Sequence, residues 1–580
     1  MKIIRTLLPL ICSLLLLYAC KNAGAGAGPD YVLYNAVVVP MTDSGTTYQA
    51  IAIKDGKILQ LGSNDSIRKL TQTGTKEIDC QGKTIMPGFI DAHAHIGLNA
   101  SLSFAAKLEG SPYGDVNTIK AIQDTMRAYI SRNYHDDTSY ILGNGYDDAT
   151  LEGHKQPTKE DLDAISTTHP IYLFHSSGHM GVANSALLKA MGITDTTSNP
   201  PGGIIVKENG KVTGLLMENA NINALMFMMP HFGITAEEMM KSLIASEKLW
   251  FSYGITTICE GRASPETIEL IKSACDKDLV KGDYIVLPDF DQNEKLLDSL
   301  KQYYGNYQHH FKIGAVKFTF DGSPQGRSAA LTKPYLHHPI GQDATYKGEL
   351  IYPRDKAGQY LAEVFSKGMQ VHIHCNGDAA IDEGLELLDS LYKLGKIPKG
   401  AINVMVHTQV CRPDQVDKLA AAKSYLMPSW FPTHTYIWGD WHRDTTLGLE
   451  RASHISPLKA GLDKNILFTI HTDAPVTPPD LLTAVYAAVN RRTLFSKTVL
   501  GPEQCISPWE AMKAITVNGA IQWGEEKSGK GKLVADGIAD IVILSDNPLT
   551  VAKETLNKIK VLSTYKNGKP VYGADAFVKK

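Results

Sequence analysis

The feature that most constrains the fold is an alternation of short apolar segments with helical stretches through the middle of the 580-residue chain. This alternation is typical of strand–helix–strand units in a parallel sheet. Eight parallel strands are also the number that closes a barrel whose carboxyl-terminal strand ends carry the chemistry. The predicted fold class is therefore α/β, a (β/α)8 barrel of the TIM type. The eight predicted strands cover residues 88–95, 254–259, 284–288, 314–320, 370–375, 403–407, 424–428 and 466–472.

Short β-rich runs flank the predicted barrel on both sides. Residues 30–86 contain several such runs, and Asp55-Gly56 between two of them is a strong hairpin signal. Residues 525–580 have the same character. Because neither group can form a core alone, we expect the two to pair into one small β-sandwich. The barrel then occupies residues 87–524, and the long gap after its first strand predicts an insertion over the barrel mouth at about residues 111–233.

Polar residues at the ends of the predicted strands are the candidate functional residues. The first strand ends in His93-Ala94-His95, and alternate side chains of a strand share a face, so both imidazoles can bind one metal ion. Taken singly, each later candidate also has a structural explanation, as a hydrogen-bonded histidine, a helix-capping aspartate or a paired lysine. Together they place metal-ligand residue types around one rim. These later candidates are Lys317, His374, His407 and Asp473.

Five motifs carry these residues in order. They are PGFIDAHAH at residues 87–95, VKFTFDGS at 316–323, HCNGD at 374–378, HTQ at 407–409 and TDAPV at 472–476. In this order they resemble the metal-dependent amidohydrolase superfamily, and specifically its amidohydrolase family 3 or YtcJ-like branch. The resemblance runs from about Tyr31 to Tyr572, nearly the whole chain.

The resemblance implies a centre of one or two divalent ions, zinc or a similar metal, at the strand ends. The implied activity is hydrolysis of carbon–nitrogen bonds in amides, N-acyl compounds or cyclic amides by metal-activated hydroxide, with Asp473 passing the proton to the leaving amine. A lysine can bridge two cations only after CO₂ has turned its amine into an anionic carbamate. The implied ligands are His93, His95 and Asp473 for one ion, His374 and His407 for a second, and carbamylated Lys317 as the bridge.

The insertion and one strand loop offer candidate substrate contacts. Tyr146, Asp147 and His179 resemble family segments and either face the substrate or brace the insertion. Arg327 either pairs with a substrate carboxylate or forms a salt bridge that stabilises its loop.

Two further histidines follow the last strands. His434, beyond the seventh strand, is predicted as a second catalytic residue that polarises the scissile carbonyl. His471 stands where the family usually has a small residue, so it either crowds the site or hydrogen-bonds it. The pair Cys375-Asn376 is also unusual for the family, and both departures bear on substrate preference.

The first thirty residues predict an export signal. Lys2 and Arg5 precede an apolar run that is shorter than the ~20 residues a membrane span needs. The segment that ends in Cys20 resembles a bacterial lipobox. We therefore expect a signal peptide at residues 1–19, a lipidated Cys20, and a flexible tether to residue 29. This arrangement would anchor the protein to a bacterial membrane, exposed to the periplasm or the cell surface.

The net charge of the chain limits the classes of binding partner that the sequence predicts. A formal net charge of −3 gives no argument for nucleic-acid binding, so a small-molecule substrate is expected. Two alternatives to carbon–nitrogen hydrolysis stay open at this stage. One is a surface lipoprotein that binds a ligand without turnover, and the other is ester hydrolysis or isomerisation at the same metal site.

Overall fold

A computed structural model describes residues 28–574 and residue 577 of the chain. The predicted signal peptide, Cys20 and most of the tether lie outside the described residues. Within the described part, no helix combines the length and apolar character needed to cross a membrane.

Two parallel sheets form the centre of the protein. One has four strands and the other five, and every neighbouring pair within them is parallel. The four-stranded sheet contains, in spatial order, Phe311–Ile313, Asp283–Pro288, Ile255–Ala263 and Phe89–Ile90. The five-stranded sheet contains, in spatial order, Val316–Thr319, Val371–Cys375, Asn403–His407, Leu426–Trp430 and Thr469–Ile470.

The two sheets meet along both edges. On one side a parallel bridge joins Asp289 to Lys317. On the other side the backbone amide of Asp473 donates to the His93 carbonyl at 3.0 Å, and the His95 amide donates to the Ala474 carbonyl at 2.7 Å. The carboxyl ends of the first and last central strands are therefore hydrogen-bonded neighbours, which brings their terminal side chains together.

Each of the eight predicted strands overlaps an observed strand, but several bounds differ. The seventh strand continues to Trp430, beyond Pro428, where the predicted strand ended. The adjacent strand Thr469–Ile470 pairs only with Ser429 and Trp430, so this pairing does not require an amide hydrogen from Pro428. The short strand Phe311–Ile313 was not predicted.

The two ends of the chain share a sheet. Thr84–Pro87 pairs antiparallel with Ile541–Leu544 in a five-stranded sheet. A second, four-stranded sheet contains the hairpin at Asp55-Gly56, whose two positive φ angles, 49° and 77°, fit a type I′ turn. The strands of the five-stranded sheet are Val37–Val38, Thr84–Pro87, Ile541–Leu544, Val561–Lys566 and Lys569–Tyr572. Those of the four-stranded sheet are Lys57–Gly62, Ala50–Lys54, Tyr31–Tyr34 and Lys76–Asp79.

Between the first two central strands lies a mixed six-stranded sheet. It begins at Ala106, before the predicted start of the insertion at residue 111, because a two-residue strand pairs with Ile141–Tyr146. Its last strand ends at Glu218, where the helix Asn219–Met228 begins. The strands, in spatial order, are Gly203–Glu208, Lys211–Glu218, Met180–Ala183, Ile171–His175, Ile141–Tyr146 and Ala106–Lys107.

Helices connect and cover these sheets. Longer amphipathic ones, such as Asp378–Lys393, bury one face against the central strands. The α-helices of the described residues are Asn64–Arg68, Ile96–Leu102, Ile119–Asn133, Lys159–Asp163, Ser185–Ala190, Asn219–Met228, Ala236–Ser252, Pro265–Asp276, Phe290–Asn293, Leu297–Leu300, Arg354–Ser366, Asp378–Lys393, Pro413–Ala422, Thr433–Ile437, Gly439–Trp441, Leu449–Ser453, Leu458–Asp463, Leu481–Asn490, Pro508–Ala514 and Val517–Gln522.

Candidate metal centre

His93, His95 and Asp473 converge where the first and last central strands meet. The Oδ1 atom of Asp473 lies 3.6 Å from His93 Nε2 and 3.3 Å from His95 Nε2. One ligand atom from each of the three residues lies within 4.8 Å of the others. Asp473 Oδ1 is buried and has no hydrogen-bond partner among the described residues. A carboxylate oxygen left unpaired between two imidazoles is the arrangement expected of a metal site.

Lys317 lies beside this group, inside a buried strand. Its Nζ atom is 3.0 Å from His93 Nε2. Burial lowers the pKa of Lys317 to about 8, because a charged ammonium is poorly solvated there. A substantial fraction of the amine is therefore neutral near physiological pH, and the neutral amine is the form that reacts with CO₂.

His374 and His407 complete the group from the next two strands. Their ring centroids are 4.5 Å apart, and the centroid of His407 is 5.5 Å from that of His93. Burial holds the pKa of His93, His374 and His407 well below the ordinary histidine value. Neutral imidazoles keep the lone pair that a metal ligand needs. The structure thus brings together all six residues that the sequence predicted as metal ligands.

Glu260, which was not singled out from the sequence, supports one of these ligands. Glu260 Oε1 is 3.6 Å from His95 Nδ1, and Glu260 Oε2 accepts a hydrogen bond from the Gly97 amide at 2.6 Å. Burial lowers the pKa of His95, but the carboxylates of Asp473 and Glu260 outweigh it and raise that pKa. Glu260 directly follows Cys259, the predicted end of the second strand, so the search for polar residues at strand ends could have found it. Carboxylates behind ligand histidines are common in metal sites.

His471 belongs to a hydrogen-bonded chain behind His407. Its Nε2 is 3.0 Å from His407 Nδ1, and its Nδ1 is 2.9 Å from the Ser429 hydroxyl. Of the two sequence interpretations, the structure favours hydrogen bonding over crowding. Burial lowers the pKa of His471 to about 3. His471 is therefore neutral and orients the His407 ring.

The two residues of the unusual pair Cys375-Asn376 have different surroundings. Asn376 Nδ2 lies 3.0 Å from His374 Nε2 and donates to the Gly322 carbonyl at 2.9 Å. Cys375 is fully buried in the core instead. Of the two side chains, only that of Asn376 lies within hydrogen-bond distance of a candidate ligand.

A cavity of about 270 Å³ opens onto the candidate ligands. His95, Lys317, His374, His407 and Asp473 line its floor. One wall is apolar and comes from the helix Asn219–Met228 and the residue after it, while His179 lies on the polar side. The apolar wall contains Ile222, Leu225, Met226 and Met229. The cavity therefore has room for a small molecule with an apolar part.

Tyr146 and Asp147, predicted either to face the substrate or to brace the insertion, do not line the metal-centre cavity. Tyr146 is fully buried, and its hydroxyl accepts a hydrogen bond from Gln156 at 2.7 Å. Asp147 lines a neighbouring cavity of about 350 Å³ and accepts hydrogen bonds from the indole of Trp438 at 2.8 Å and the hydroxyl of Ser176 at 2.9 Å. Both residues brace the inserted sheet, which was the alternative interpretation.

Arg327 also has a bracing role. Its guanidinium donates to Asp148 Oδ2 at 3.0 Å and lies over the Trp441 ring.

Asp147, Asp148 and His175 form a second group with metal-ligand spacing. Burial opposes a charge on His175, but the two carboxylates raise the pKa of His175 to about 9. Protonated His175 and Arg327 then balance both carboxylates, so this group is charge-compensated without an ion.

His434 is not among the residues that line the metal-centre cavity. Its ring packs between Phe431 and Trp438, and its Nδ1 lies 3.0 Å from His442 Nε2. The structure pairs the ring with another histidine through Nδ1, and the role of His434 in polarising a carbonyl stays a prediction.

Comparison with known proteins agrees with this geometry. A model described as the amidohydrolase family matches residues 76–572. YtcJ of Bacillus subtilis (strain 168) is 26% identical over 555 residues, which cover 93% of this chain and 99% of that protein. The N-substituted formamide deformylase of Arthrobacter pascens is 22% identical over 554 residues, covering 93% of this chain and 97% of that protein.

A solved structure shares the fold. The crystal structure of an uncharacterized metal-dependent hydrolase from Pyrococcus horikoshii OT3 superposes with a TM-score of 0.69 at 22% identity. The match covers 90% of this chain and 99% of that one. Since the family model spans most of the sequence, the chain belongs to the amidohydrolase family.

Proposed function

We propose that the protein is a metal-dependent hydrolase of carbon–nitrogen bonds in amides, N-acyl compounds or cyclic amides. The observation that carries the proposal is the buried Asp473 Oδ1, which has no hydrogen-bond partner among the described residues and lies within 3.6 Å of the ring nitrogens of His93 and His95. Burying a carboxylate oxygen without a hydrogen-bond donor is costly, which supports a role for it in metal binding and proton transfer rather than in packing.

The donor set fits one or two divalent ions. His93, His95 and Asp473 would hold one ion, and His374 and His407 a second, with carbamylated Lys317 between them. Imidazole, carboxylate and carbamate donors favour zinc among the common metals but admit manganese, iron or cobalt. When bound, a divalent cation supplies Lewis acidity toward the carbonyl and lowers the pKa of a nearby water.

The chain's own residues would perform the proton transfers and hold the substrate. The Asp473 carboxylate takes a proton from the attacking water and delivers it to the leaving nitrogen. Glu260 holds His95, and the chain from Ser429 through His471 holds His407, so both rings keep their orientation. The apolar helix wall receives the apolar part of the substrate and excludes water.

The choice of carbon–nitrogen bonds rests on the relatives. One similar protein of nearly equal length is named as a deformylase of N-substituted formamides. We further propose that the eight predicted strands, all of which lie in the two central sheets, close into a (β/α)8 barrel and that the sheets of the chain ends form a sandwich. The edge contacts between the two central sheets support the barrel.

We also propose, from the sequence alone, that a lipid on Cys20 anchors the protein to a membrane.

The experiment is a turnover assay of zinc-loaded protein on matched amides and esters. We expect release of the free amine from an N-alkylformamide or an N-acyl amine, with much slower cleavage of the corresponding ester. Protein stripped of metal by a chelator is the control and should release no amine. Recovery of every amide unchanged after long incubation with metal-loaded protein would reject the proposal.

A further inference from the structure

His179 and Glu218 form a linked pair at the polar side of the metal-centre cavity. His179 precedes Met180 and Glu218 follows Met217, and because Met180 and Met217 are paired in antiparallel strands, His179 and Glu218 are the next cross-strand neighbours. The Glu218 amide donates to the His179 carbonyl at 2.8 Å, and His179 Nδ1 lies 2.9 Å from Glu218 Oε2. A backbone bond and a side-chain bond therefore fix both residues.

The backbone conformation of Glu218 is strained. Its φ of 52° and ψ of −124° lie outside the regions that L-residues prefer. Its Oε1 atom is buried and has no hydrogen-bond partner among the described residues. The backbone of Gly322 comes so close that an added Cβ would lie 2.1 Å from that oxygen. Strain and an unpaired buried oxygen in one residue are typical of functional sites rather than of simple packing.

The pairing determines which ring nitrogen of His179 carries hydrogen. An ionised carboxylate can only accept, so in the neutral imidazole the single N–H is on Nδ1 and points to Glu218. The other nitrogen, Nε2, then presents a lone pair and has no hydrogen-bond partner among the described residues. The ring lines the cavity, with its centroid 5.1 Å from that of His374. An acceptor next to the candidate metal ligands can receive an N–H from a bound molecule.

We propose that His179 Nε2 accepts a hydrogen bond from the substrate's amide N–H, and that Glu218 is a positioning residue that fixes the ring and its tautomer. This inference rests on the proposed function and narrows its substrate class. Amides with an N–H, meaning primary and secondary amides, would be bound in preference to tertiary amides and esters, which lack that hydrogen. His179 would be the specificity-determining contact.

Binding of two hydroxamates to zinc-loaded protein tests the proposal without turnover. Benzohydroxamic acid and N-methylbenzohydroxamic acid offer the same metal-binding oxygens, but only the first has an N–H. Calorimetry at pH 8 should show that wild-type protein prefers the N–H compound by about 10-fold, the size of one hydrogen bond. The preference should vanish in His179→Phe, which keeps a ring of similar size, and fall in Glu218→Gln, which allows the other tautomer.

The controls separate the possible failures. Glu208→Gln changes an exposed glutamate of the neighbouring strand and should retain the wild-type preference. Zinc content and thermal melting of each variant report whether it is folded and loaded. Equal binding of the two hydroxamates by wild type, or the same preference in wild type and His179→Phe, would overturn the inference alone. A lack of zinc-dependent binding by either compound would contradict the proposed function and the inference with it.

Discussion

Replacing Asp473 with asparagine is expected to lower kcat for amide hydrolysis by about 1,000-fold or more, the size of effect seen when a catalytic group is removed. The substitution preserves shape and one oxygen, but it removes the carboxylate that would carry a proton between water and the leaving nitrogen. It also removes a negative charge from among His93, His95 and Lys317. Both losses act on the reaction, so kcat should fall much more than KM rises.

The measurement is steady-state kinetics together with metal content for wild type and variant. Asp463→Asn is the matched control, because Asp463 is an exposed residue whose ion pair with Lys459 lies on the surface. It should retain wild-type kinetics. A kcat for Asp473→Asn within about 10-fold of wild type would remove Asp473 from its proposed role.

Replacing Lys317 with methionine is expected to reduce bound zinc from two ions to one and to lower kcat by about 100-fold or more, as loss of a bridging ligand should. Methionine fills a similar volume, so the buried strand should still pack. The carbamate that would bridge the ions cannot form without the amine. Loading wild-type metal-free protein in buffer purged of CO₂ should have the same effect, reversed by bicarbonate.

Metal analysis by mass spectrometry and amide kinetics on the same samples would check this. Lys333→Met, at an exposed position, is the matched control. Full zinc content and kcat in Lys317→Met would contradict a bridging role. Loss of zinc with no response of the wild type to CO₂ would indicate that the lysine acts only through packing or its amine.

The metal centre was predictable because its residues stand at strand ends. In a parallel sheet the carboxyl ends of neighbouring strands meet, so His93, His374, His407 and Asp473 could be brought together without knowing any side-chain contact. The structure places His374, His407 and Asp473 on one cavity, and His93 Nε2 lies 3.6 Å from Asp473 Oδ1. Glu260 directly follows the predicted second strand, so the same reasoning could have found it, although the observed strand continues to Ala263.

Residues of the inserted sheet could not be assigned in this way. Tyr146 and Asp147 resemble family segments, and Arg327 was a candidate partner for a carboxylate, but local motifs do not reveal burial or the pairing partner. Arg327 pairs with Asp148, which is 179 positions away in the sequence. Glu218 gave no signal either, because its contact with His179 depends on the pairing of two strands. These roles required the tertiary structure.

One strand was missed in the sequence for a related reason. The missed strand Phe311–Ile313 has a lysine at its centre, and a charged residue argues against a fully buried strand. Lys312 is nevertheless buried, because its amine bonds to Glu525 and to the Trp523 carbonyl at the far end of the chain. A compensating charge so distant in sequence cannot be recognised from a local pattern.

The central claim is that the strand-end residues hold the metal. Anomalous scattering at the zinc absorption edge, from crystals of zinc-loaded protein, tests it most directly. The account predicts strong peaks beside His93, His95 and Asp473 and beside His374 and His407, with additional density on the Lys317 amine. Anomalous density elsewhere, for example at Asp147, Asp148 and His175, with none at the strand ends, would contradict it.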